Sequence, residues 1–67
     1  MRLYWDDNRE VKKNELTATQ REELRRIHKQ YGLTDTVKIS RGFSGEVIVQ
    51  MSPNLCWAIE SDGYVHT

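Results

Sequence analysis

Residues 36–60 read TVKISRGFSGEVIVQMSPNLCWAIE. Three apolar-alternating runs, TVKIS, EVIVQM and LCWAIE, are separated by the turn-forming stretches GFSG and SPN. β-Branched residues at every second position fit half-buried strands, and Gly, Ser, Pro and Asn between them fit tight connections. A fourth short run, YVHT, follows the turn SDG. The expected product is an antiparallel meander over about residues 36–66. Gly42 and Gly45 then need only bend a hairpin. A phosphate-cradling loop would present its amides at a helix N-terminus, usually with a following lysine. Here a strand follows instead.

Register follows from parity, because strand side chains alternate with period two. The bulkier set is Val37, Ile39, Val47, Val49, Met51, Leu55, Trp57, Ile59 and Val65. These share a face if each connection holds an odd number of residues. The stretch SPN then pairs Val49 with Trp57 and Val47 with Ile59, and SDG pairs Ile59 with Val65. Gly63 and Asn54 suit the left-handed position of a three-residue hairpin. The first hairpin takes three or five loop residues, with Val37 opposite Val49 or Met51. Trp57 is expected to be the buried centre of this face.

Working outward, residues 16–33 read LTATQREELRRIHKQYGL. Thr19 with Glu22, or Thr17 with Gln20 a turn earlier, forms a capping box. Leu24, Ile27, His28 and Tyr31 make one helical stripe. Glu22 and Arg26 fit a stabilising i,i+4 pair. Gly32 supplies the stop, with Leu33 folding back over the last turn. The helix is expected over about residues 18–31. Arg21, Arg25, Arg26 and Lys29 read as a solvated face interrupted by Glu22 and Glu23 rather than as a phosphate-binding face.

The fold class is therefore α+β, in one small domain over residues 1–67. One amphipathic helix packs on a three- to four-stranded antiparallel meander. Leu3, Tyr4 and Trp5 are too apolar to remain in water, so residues 2–5 form an added edge strand or a lid over the outer sheet face. The turn-like Asp6, Asp7 and Asn8 end that segment, and residues 9–12 suit a short returning strand.

Catalysis is not expected. Asp6, Asp7 and Glu10 match no cation-binding loop, and His28, Cys56 and His66 lack the paired spacing of structural zinc. Cys56 with a histidine would make a nucleophile and base, but a strand cysteine is usually an inert small hydrophobe. No cofactor motif occurs, so no cofactor or metal is expected. The single cysteine, the absence of an apolar leader and the start at Met1 point to a whole small gene product of the cytoplasm, without a membrane span.

Ten basic and ten acidic residues cancel in the 67-residue chain. Nucleic-acid affinity rests on cations meeting phosphate, so zero net charge argues against a dedicated nucleic-acid binder. The expected function is binding of another protein, as an inhibitor, adaptor or accessory factor of the kind mobile elements encode. The surface is the outer sheet face, with Lys38, Ile48, Ala58 and His66 in one row, Gln50 and Cys56 beside it and Tyr64 on the same face, or the first loop with Arg41 and Phe43. The alternatives are a second copy of the chain, or nucleic acid on the sheet and the Phe43 loop.

Overall fold

The computed structural model describes residues 1–32 and 35–67. Strand β1 (Arg2–Trp5) is followed by a 3-10 turn (Lys13–Glu15), helix α1 (Ala18–Tyr31) and strands β2 (Thr36–Arg41), β3 (Val47–Ser52), β4 (Leu55–Ile59) and β5 (Val65–His66). The strands form one sheet in the order β1-β2-β3-β4-β5. The fold is α+β.

The N-terminal segment is an edge strand and not a lid. It runs parallel to β2, with Leu3 opposite Val37 and Trp5 opposite Ile39. The sheet is thus five-stranded and mixed, which corrects the expectation of three to four antiparallel strands. Parallel neighbours need a crossover connection, and α1 provides it between β1 and β2. Leu3 and Trp5 consequently join the helix-facing side, and Trp5 is only 5% exposed. Beyond β1 the chain turns through Asn8, whose φ of 71° is left-handed, a conformation that Asn tolerates. It returns to bridge Tyr4 with Glu10, which shortens the expected returning strand to a single bridge.

The meander keeps the parity argument with two local differences. Val47 faces Ile59, Val49 faces Trp57 and Ile59 faces Val65. The first hairpin uses a five-residue loop, with Arg41 opposite Val47 and Ile39 opposite Val49. In the second, Ser52 pairs with Leu55 after a register shift between Gln50 and Ser52. A bulge therefore supplies the odd residue that a three-residue loop was expected to supply. Gly63 takes the left-handed turn position at φ 93°, whereas Asn54 does not. The expected fold-back of Leu33 and the inward side chain of Met51 lie outside the described part of the structure.

The core lies between α1 and one sheet face. It comprises Trp5, Leu16, Leu24, Ile27, Val37, Ile39, Val47, Val49 and Ile59. Trp57 faces this core but is only half-buried, beside Tyr31 at a ring separation of 5.8 Å. The buried tryptophan is instead Trp5, on the parallel edge strand. Tyr31 is 47% exposed, and the buried line of the helix is Gln20, Leu24 and Ile27. Arg26 pairs with Glu23 at 2.7 Å, one residue away from the expected partner Glu22.

Gln20 ties the layers together. Thr17 caps the helix: its hydroxyl accepts from the Gln20 backbone N–H at 3.1 Å, and its own N–H donates to Gln20 Oε1 at 3.0 Å. The Gln20 amide nitrogen then donates to the carbonyls of Gly45 (3.0 Å) and Ile59 (3.1 Å). The Thr17 and Thr19 hydroxyls both donate to the Ser61 carbonyl, at 2.9 and 3.0 Å. The helix start is therefore fixed to the first loop and to the β4–β5 turn. Gln20→Leu would strand the Thr17 N–H and remove a donor from the Ile59 and Gly45 carbonyls, the latter keeping Arg41, at a cost of about 2–4 kcal/mol. A chain of this size has about 3–10 kcal/mol in total, so the urea midpoint should fall by a large fraction. An unchanged midpoint would show that the Gln20 amide is not a tie.

Candidate protein-binding face

The face opposite α1 carries no covering element among the described residues. Parity and pairing place Tyr4, Lys38, Ser40, Ile48, Gln50, Cys56, Ala58, Glu60, Tyr64 and His66 on it. Tyr4 lies opposite Lys38. The five-residue first loop puts Ser40, not Lys38, in the row with Ile48, Ala58 and His66. Lys38 sits one row away, toward Gln50 and Cys56. The middle of the face is thus Ile48 and Ala58, both half-buried by their neighbours, and it holds no charge.

Charges lie at its borders. Arg2 and Lys38 are exposed on β1 and β2. At the β4–β5 end, Glu60 Oε2 is 3.1 Å from His66 Nε2. Tyr64 is 65% exposed and stacks on the His66 ring at 5.7 Å. Its backbone N–H donates to Asp62 Oδ1 at 3.0 Å, an Asx-type turn that fixes the hairpin. Glu60, Ser61, Asp62, Tyr64 and His66 line a shallow hollow there.

The remaining candidates fall elsewhere. Phe43 is fully exposed at the tip of the first loop. Arg41 lies on the helix side, its guanidinium 4.8 Å from the Trp5 ring centre. It donates to the carbonyls of Gly45 (3.0 Å) and Glu15, so it does not share a surface with Ile48. Cys56 is exposed rather than buried. His28 lies on the helix, and no group of three His, Cys, Asp or Glu residues is arranged to hold a metal among the described residues. No described helix is long and apolar enough to cross a membrane.

No known protein family, curated protein or solved structure matches the chain.

The corner that holds Arg41 is organised by Glu15. Its carboxylate accepts from the Lys12 backbone N–H at 2.8 Å, the Trp5 indole at 3.1 Å and Arg9 at 3.1 Å. These bonds, the Lys12 amide first, hold its pKa down to about 2 from an ordinary 4.5. The unfolded chain therefore takes up this proton before the folded one as pH falls. The resulting stability is full above about pH 4.5 and is lost as pH drops toward 2. Urea midpoints measured across that window should fall more steeply for the wild type than for Glu15→Gln. Parallel slopes would show that the carboxylate is not the anchor of this corner.

Proposed function

We propose that this chain acts without catalysis, by binding another protein through the open sheet face. The observation that carries the reading is the uncovered face itself, neutral at Ile48 and Ala58, aromatic at Tyr4 and Tyr64, with Lys38 beside Tyr4 on β2 and the other charges at its edges. Protein-binding surfaces share that plan of an uncharged centre, aromatic anchors and a polar rim. A sheet also presents these groups on a rigid backbone, which lowers the entropic cost of association. The rim defines the partner. An acidic patch would meet Arg2 and Lys38, and a basic patch would meet Glu60 and Asp62, on either side of an apolar centre. Phe43, exposed at the loop tip, extends the contact beyond the sheet. The carboxylates of Glu60 and Asp62 and the zero net charge weigh against a phosphate backbone on this face.

A photo-crosslinking residue at position 48 tests the proposal in the cells that make the protein. The expected result is an adduct with one other protein, lost when Tyr64→Ala is added and not formed from position 29 on the helix. Ile48→Glu should abolish association while lowering stability by about 1 kcal/mol or less, because the site is on the open face. That loss corresponds to a melting shift of a few degrees, roughly 4–8 °C per kcal/mol in a domain this small. An adduct with a second copy, or with nucleic acid when irradiated at physiological salt, would overturn the proposal. So would the lack of any adduct.

A further inference from the structure

We propose that the cleft between α1 and β1 binds a single phosphate group. Arg21, Arg25 and His28 fall at i, i+4 and i+7 along one line of α1. With Met1 and Leu3 they line a concave site, and a neighbouring hollow continues past Arg2, Tyr4, Glu10 and Val11. The section bounded by Leu3, Arg25 and His28 has no carboxylate in its wall, whereas Glu22 lines the hollow on the other side of Arg21 and Arg25.

Among the described residues neither arginine of this line is matched by a carboxylate, a property they share with Lys29 and Lys38, but of these four only the two arginines line a common concavity. Arg26 is matched by Glu23 at 2.7 Å and Arg9 by Glu15 at 3.1 Å. Arg21 donates only to a neutral group, the Lys13 carbonyl, at 2.7 Å, and that bond orients its guanidinium. Arg25 has no hydrogen bond or ion pair to any described residue. Like charges at i,i+4 destabilise a helix, and Glu22, which lines a hollow with both arginines, makes no ion pair with either. A phosphate would offset the repulsion, because guanidinium forks match its oxygens. The apolar Leu3 in the wall strengthens such bonds by lowering the local dielectric. Glu10 in the adjoining hollow sets the size of the site. A continuous polyanion running along β1 would meet that carboxylate, whereas one phosphate beside Arg25 would not.

The section that would hold the phosphate, at Leu3, Arg21, Arg25 and His28, shares no residue with the open sheet face, so either proposal can fail alone. The test is an amide and arginine Nε NMR titration of the whole chain at constant ionic strength. The probes are inorganic phosphate, adenosine monophosphate and O-phosphoserine. Saturable shifts are expected at Leu3, Arg21, Arg25 and His28. Arg25→Gln should weaken binding about tenfold or more, the usual loss when a charged hydrogen bond is removed, without altering the rest of the spectrum. Arg26→Gln should bind as the wild type does. Equal binding of all three probes would assign the site to phosphate itself. Tighter binding of either ester would add a contact to the organic group. Shifts that never saturate, that spread over the whole surface, or that persist unchanged in Arg25→Gln would overturn the proposal.

Discussion

One helix has to cover a five-stranded sheet, and it is too narrow to do so. A helix of 14 residues is about 21 Å long and about 10 Å wide. Five strands at about 4.8 Å spacing extend about 19 Å across. The helix therefore shields the middle of one face and leaves its margins partly open. The burial follows: Ile39, Val47, Val49 and Ile59 are fully buried, while Leu3, Trp57 and Val65 are only partly so. The opposite face has no second layer at all among the described residues.

Given that shortage, the chain closes its core with polar fasteners. At the helix start, Gln20 and the two threonines bind backbone groups of the first loop and the last turn. At the β1 end, Glu15 gathers Trp5, Arg9 and the Lys12 amide, and Arg41 lies over the Trp5 ring. Each fastener satisfies backbone groups that lie outside the helix and the strand ladder. Strand parity puts Arg41 on the helix side of the sheet, opposite Val47, so the functional reading of the open face rests on other residues.

Much of this was legible in the chain. The alternation of Val47, Val49, Trp57 and Ile59 with odd-length connections gave their pairing, because one buried face admits only one parity. The Thr17–Gln20 box and Gly32 gave the helix. Two features were not legible. Parallel pairing of β1 with β2 depends on which edge accepts a strand, and alternation along a single strand does not encode its neighbour. The burial of Trp5 on the edge strand follows from that pairing, while Trp57 on β4 is only half-buried. Gln20 read as a cap alone, because its two carbonyl partners are distant in sequence. On the open face, parity is enough to align Ile48, Ala58 and His66. The sequence allows two lengths for the first loop: three residues put Lys38 in that row, and the observed five put Ser40 there.

The account depends most on the outer face being open in the free protein. Relaxation of side-chain methyl signals by a soluble paramagnetic probe measures this directly. The account predicts strong relaxation of the Ile48 and Ala58 methyls, with Ile27, Ile39 and Ile59 spared. If Ile48 and Ala58 were spared to the same degree as those three, something would already cover the face, and the surface assigned to a partner would not be available to one.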